Sequence, residues 1–66
     1  MRAVADLKPG DTFVWCDREV TLQRAVPVYT KRRGYWLETV EGDGTAHRLH
    51  YYADEQVPHT GRGVKP

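Results

Sequence analysis

Tyr35-Trp36-Leu37-Glu38-Thr39-Val40 and Thr45-Ala46-His47-Arg48-Leu49-His50-Tyr51 stand on either side of Gly42-Asp43-Gly44. The first run is dense in β-branched and aromatic residues, and in the second Leu49 and Tyr51 fall two apart on one face. The glycines supply the positive backbone dihedrals that a tight reversal between antiparallel strands demands. This stretch is a β-hairpin, and it sets the class of the fold.

Upstream of the hairpin the same grammar continues. Pro9-Gly10 is a turn signal, since proline presets its own dihedral and glycine accepts a positive one. Thr12-Phe13-Val14-Trp15-Cys16 follows as a strand, and Asp17-Arg18 as a reversal. Glu19 to Val26 alternates at Val20 and Leu22, the period of a half-buried strand. Pro27 then marks an edge, a bulge or a bend, because proline donates nothing to a ladder. Thr30-Lys31-Arg32-Arg33-Gly34 is a basic loop. Beyond the hairpin, Tyr52-Ala53-Asp54-Glu55 suits one turn of 3₁₀ helix. Gln56-Val57-Pro58-His59 is a last short strand, and residues 60–66 form a Gly-rich, charged, flexible C-terminal tail. Residues 1–59 make one domain, with Leu7 the single apolar anchor of the first ten.

No run reads as a helix of three turns. Five short strands without helical cover must close on themselves to hide their edges and one face. The expectation is an all-β, five-stranded, strongly bent small barrel with one 3₁₀ turn before the last strand. Its core should gather Val20, Leu22, Leu37, Leu49 and Val57 with Phe13 or Trp15.

That order of strands resembles the Src-homology-3-type small barrel of the bacterial and phage kind. Leu7-Lys8-Pro9-Gly10-Asp11 followed by Phe13 is similar to the Leu-x-x-Gly-Asp entry of such barrels, and the resemblance spans roughly Asp6 to His59. The chain departs from the proline-peptide-binding branch. Phe13-Val14-Trp15 stands where that branch carries an Ala-Leu-Tyr-x-Tyr-like stretch, and the loop before the third strand is basic where theirs is acidic. The resemblance implies a fold and leaves activity open.

Composition narrows the function classes. The chain has 66 residues, 39% of them hydrophobic and 29% charged, with a formal net charge of +1. So small a domain has a marginal core and no room for a deep water-excluding pocket, which argues against an enzyme. Near-neutral charge gives no global pull toward nucleic acid. The apolar runs are too short to span a membrane. One cysteine, Cys16, excludes an internal disulfide, points to a reducing cytoplasm, and reads as a small buried apolar group. His47 and His50, three apart on a strand, face opposite ways, so they form no zinc site together. No metal and no cofactor is expected. The chain lacks serine, isoleucine and asparagine, and seven of its ten basic residues are arginine. That is the composition of a GC-rich genome, as in an actinobacterium or its phage; a phage product would act in the host cytoplasm.

The candidate site is the basic triplet Lys31-Arg32-Arg33 with its flanking rings Tyr29, Tyr35 and Trp36, extended by Arg24 and Arg48 if their strands are neighbours. Such a patch suits an acidic protein surface or, alternatively, a phosphate backbone with stacked bases. Adjacent rings at Tyr35/Trp36 and Tyr51/Tyr52 must face opposite sides of a sheet, so some aromatic surface stays outside. Charge is segregated along the chain: Asp17 to Trp36 carries five basic and two acidic residues, Leu37 to Glu55 one basic and five acidic. A bipolar molecule of this kind binds an oppositely patterned partner or its own copy. The reading is a non-enzymatic binding module, a protein-interaction or host-modulating accessory protein, with nucleic acid the alternative ligand.

Overall fold

The computed structural model describes residues 1–61, and every strand pairing in it is antiparallel. The strands are β1 (Arg2–Ala3), β2 (Thr12–Trp15), β3 (Arg18–Val28), β4 (Gly34–Glu41), β5 (Ala46–Tyr52), β6 (Gln56–Val57) and β7 (His59–Gly61). Five of them make one sheet in the order β5-β4-β3-β2-β7, and β1 pairs with β6 in a small second sheet. The described residues contain no α-helix. The protein is all-β, as expected.

The central hairpin forms as its glycines require. Gly44 N–H donates to Glu41 O (2.9 Å) and Glu41 N–H to Thr45 O (2.8 Å). Gly44 takes φ +94°, the left-handed residue that closes a three-residue hairpin loop. Asp43 accepts the Thr45 N–H on its carboxylate (2.9 Å). Residues equidistant from Asp43 therefore pair, as Val40 with Ala46 and Trp36 with His50. At the other end, Pro9-Gly10 turns with Gly10 at φ +96° and Asp11 N–H on Lys8 O (2.9 Å). Gly10 and Asp11 then clip to both backbone groups of Leu22 (2.7 and 2.8 Å), which fastens this entry turn to β3.

The core gathers Phe13, Val20, Leu22, Leu37, Leu49 and Val57, the expected set, and adds Val4 and Leu7. Each such side chain taken fully from water contributes on the order of 1.5–3 kcal/mol. Thr39 is buried among them with its hydroxyl on His47 O at 3.2 Å, and Asp11 is the other buried polar residue among those described.

Several expectations are corrected. The 3₁₀ helix lies at Val4–Asp6, before β2, and carries Val4 into the core; Leu7 is not the lone anchor of the first ten residues. Tyr52 to Glu55 is a single closed turn instead. Glu55 N–H donates to Tyr52 O (3.0 Å), and the Glu55 carboxylate returns to Tyr52 N–H (2.7 Å). One rung closed by its own side chain is complete and does not propagate. Cys16 is neither strand nor buried: it is exposed at the tip of the β2–β3 hairpin. Trp15 pairs with Arg18, leaving a two-residue loop that needs positive φ at both positions, and Cys16 and Asp17 take 52° and 62°.

The bulge of β3 falls between Leu22 and Arg24, and of the edge, bulge or bend expected at Pro27 it is the edge that forms. Pro27 stays in register with Tyr35, where β3 has run past its β2 partner and proline's missing donor costs no ladder bond. The last strand is cut at Pro58 into β6 and β7, which serve different sheets. Thr60 and Gly61 belong to β7; the rest of the expected tail, residues 62–66, lies outside the described residues.

The two glycines of the central turn differ in a way that stability measurements resolve. A Cβ at either would meet nothing within 4 Å, but only Gly44 sits at positive φ. Gly44→Ala is expected to lose about 1–2 kcal/mol in urea denaturation, and Gly42→Ala to change little.

Candidate functional site

Strand alternation sends the odd residues of β4 and β5 inward and the even ones outward. Tyr35 and Tyr51 pack against the core. Trp36, Arg48, His50 and Tyr52 share the opposite, outer face, where the β4–β5 register sets Trp36 beside His50, Glu38 beside Arg48 and Gly34 beside Tyr52. On β3, Arg24 and Val26 flank Glu38 and Trp36 from the other side.

The outer face carries a continuous row of planar groups. Arg48 places its guanidinium 4.8 Å from the Trp36 ring centre. Trp36 tilts against His50 at 5.1 Å, and His50 meets Tyr52 edge-on at 5.2 Å. Arg32 covers the Tyr52 ring at 3.9 Å and reaches the Asp54 carboxylate at 3.0 Å. Arg24 bridges to Glu38 at 3.2 Å. Exposed cation–π contacts of this kind stabilise by about 0.5–1 kcal/mol each, and exposed ion pairs by less.

The row depends on a small residue. A Cβ on Gly34 would stand 2.9 Å from Tyr51 O and 3.1 Å from His50 Nε2. Gly34 thus leaves the space in which the His50 ring lies between Trp36 and Tyr52.

Of the residues named from sequence, Arg32, Trp36, Arg48 and Arg24 meet on this face. Arg24 and Arg48 reach it from β3 and β5, which are not neighbours of each other: each pairs with β4, which lies between them. Lys31 and Arg33 are exposed in the connecting loop beside it. Two ring assignments do not hold together. Tyr35 faces the core, one residue out of phase with Trp36. Tyr29, 76% exposed, lies beyond the end of β3, where Pro27, Val28, Tyr29, Arg33, Gly34 and Tyr35 surround a shallow hollow. His50 and Tyr52 were missed as site residues. Their signal is arithmetic: His50 stands as far after Asp43 as Trp36 stands before it, and Tyr52 is two further along the same face.

The charge segregation of the chain does not persist in space. Antiparallel pairing of β3 with β4 and the turn after β5 bring the segments together, so that Arg18 meets Glu41, Arg24 meets Glu38 and Arg32 meets Asp54.

A second cluster occupies the inner face at the hairpin end. Glu41 accepts hydrogen bonds from His47 and from Arg18 (3.1 Å), and Trp15 packs on the His47 ring at 4.7 Å. The two histidines stand on opposite faces, as expected, each engaged by its own neighbours. Burial chiefly, with the Glu55 charge, raises the Tyr51 phenol above its ordinary pKa. Nearer the entry turn, His59 Nε2 stands 3.8 Å from the Asp11 carboxylate, which also accepts the Lys8 N–H at 3.0 Å. Among the described residues no group of acidic, His and Cys side chains is arranged to hold a metal, and no helix is long and apolar enough to cross a membrane.

With this geometry in hand, comparison against known protein families and curated proteins returns no match.

Two measurements check these assignments. Gly34→Ala is expected to destabilise by about 1–3 kcal/mol through overpacking and to shift the ring resonances of His50, Trp36 and Tyr52 together. The second is acid sensitivity. The Glu41 carboxyl is held below its ordinary pKa, first by the His47 hydrogen bond and then by Arg18. A carboxyl with a lowered folded pKa stabilises above its unfolded pKa, and that contribution disappears as pH falls through the folded value. Between neutral pH and about pH 3, the wild type is expected to lose more stability than Glu41→Gln, measured as the shift in urea midpoint.

Proposed function

We propose that the chain is a non-enzymatic protein-interaction module, built as a strongly bent small barrel of the Src-homology-3 type, whose outer β3–β4–β5 face is the contact surface. The bulged β3, the convergent core and the short β1–β6 sheet support the barrel. The exposed thiol of Cys16 suits a reducing cytoplasm.

The observation that carries the functional reading is the row Arg48–Trp36–His50–Tyr52–Arg32. Trp, Tyr and Arg are the residues that dominate binding energy at protein interfaces, because they combine large apolar area with a directed polar group. Here each rests against its neighbour through tilted, edge-on and cation–π contacts, which lowers the side-chain entropy left to lose on binding. Glu38 and Asp54 temper the face: its charge is mixed, which suits a patterned protein surface better than a uniformly anionic strand of nucleic acid.

Immobilised wild type, Trp36→Ala and the double reversal Arg32→Glu/Arg33→Glu test the reading by affinity capture from lysate. All three are expected to share one far-ultraviolet spectrum, since exposed loop charges contribute little to stability. Proteins retained by the wild type should be lost by both variants and should survive added salt. An unchanged set of retained proteins in both variants overturns the proposal. Retention of a thymidine oligonucleotide, with a log–log salt slope of about −2 to −3 for three phosphate contacts, would assign the face to nucleic acid instead.

A further inference from the structure

The β4–β5 ladder is fixed at both ends. Glu41 N–H donates to Thr45 O (2.8 Å) and Ala53 N–H to Arg33 O (3.0 Å). Between these rungs hydrogen bonding alternates, so the odd residues of β5 turn their backbone groups toward β4 and the even ones away from it. Ala46, Arg48, His50 and Tyr52 are the even ones. Tyr52 is closed off by Glu55, which takes its N–H (2.7 Å) and donates to its carbonyl (3.0 Å). Ala46, Arg48 and His50 are all exposed, and among the described residues β4 is the only strand beside β5. They present their N–H and C=O groups along an open edge of the sheet.

One other open stretch of the sheet is blunted. On β3, the stretch that outruns β2 carries the bulge after Leu22 and Pro27, whose ring removes an outward donor. The β5 edge has neither proline nor bulge, and its register with β4 is unbroken from Ala46 to Tyr52. An unprotected, regular edge is a template for strand addition.

We infer that the β5 edge receives an extended acidic segment of a partner protein as an added strand, with Arg48 recognising a carboxylate on it; this rests on the interaction reading above. Charge chooses this occupant. The two carboxylates beside this row are engaged, Glu38 with Arg24 and Asp54 with Arg32. Arg48 lies on the edge strand itself, laid over Trp36, with guanidinium donors for an incoming anion. Side chains of an added strand alternate as those of β5 do. One set falls beside Arg48 and His50 on the outer face, where Asp or Glu pairs with the guanidinium. The other falls beside His47, Leu49 and Tyr51, where the Tyr51 ring and Leu49 edge favour an apolar residue. A second copy of this chain is the poorer fit. The antiparallel register that employs all three outward residues sets Arg48 directly against its own copy, and like charges opposed on a sheet destabilise it.

The test uses the intact protein and three synthetic hexapeptides. The first is Thr-Glu-Val-Glu-Val-Thr, blocked at both ends. The second replaces its glutamates with lysines. The third is the glutamate peptide with alternate backbone nitrogens methylated, which removes one row of strand donors. Amide resonances are followed by NMR during titration. The glutamate peptide is expected to shift Ala46 to His50 most strongly, the lysine peptide to bind about tenfold more weakly or not at all, and the methylated peptide to lose about tenfold, as absent ladder bonds require. Arg48→Glu should reverse the preference between the first two. Ala46→Pro removes an outward N–H and no β4 bond, as Pro27 does on β3, and should weaken the glutamate peptide about tenfold.

Equal binding of the methylated and unmethylated peptides, or shifts confined to other strands, overturns the inference. So does a wild-type dimer in sedimentation that Ala46→Pro converts to monomer, which would give the edge to a second copy. The two proposals separate cleanly. Loss of captured proteins in Trp36→Ala but not in Ala46→Pro removes the edge and keeps the face. The reverse pattern removes the face and keeps the edge.

Discussion

Everything on the outer face depends on the register of the β4–β5 hairpin, and that register depends on one backbone angle. Gly44 at φ +94° closes a three-residue loop, and the loop length decides which residues stand opposite one another. A shift of one residue would exchange the two faces of β5. Leu49 and Tyr51 would turn to water, and Arg48 and His50 would enter the core. The hydrophobic set that faces inward and the planar row that faces outward are thus two consequences of one turn.

The interior is small and is closed from several directions. Leu37 lies between Ala25 of β3 and Leu49 of β5 in register, while Val57 of the short β1–β6 sheet and Val4 of the 3₁₀ turn join the same core. The bulge between Leu22 and Arg24 makes this possible. Without an extra residue there, Ala25 and Leu22 would face opposite sides of β3, and the strand would lose its apolar face beyond the bulge. The same bulge puts Arg24 outward beside Glu38. A local irregularity therefore serves both the packing and the surface.

The surface row is ordered by the same economy of space. Gly34 has no side chain because His50 and the Tyr51 carbonyl occupy the position, and the histidine ring then links Trp36 to Tyr52. Arginines close both ends of the row. Arg48 remains on the open edge of β5, while Arg32 is drawn to Asp54. The asymmetry matters, since one end is anchored by a carboxylate of the chain itself and the other meets solvent beside unpaired backbone. It is this end that gives the proposed interface a direction.

The linear order of residues by itself determined the all-β class, the two glycine turns at Gly10 and Gly44, the convergence of Val20, Leu22, Leu37, Leu49 and Val57, and the opposition of Tyr35 to Trp36. These follow from period-two alternation and from the steric freedom of glycine, both local properties. The meeting of Trp36 with His50 was also legible, by counting outward from Asp43. Tertiary structure alone decided the rest. Val4 is core because the Val4–Asp6 turn docks its N–H on the Glu55 carbonyl (2.8 Å), a contact between residues far apart in the chain. Cys16 is exposed because Trp15 pairs with Arg18 and leaves no room for a longer loop. Acidic and basic segments, separate in sequence, neutralise one another because antiparallel neighbours run past each other. Local rules act on each strand alone, whereas partners across a sheet are chosen by the burial of the whole core.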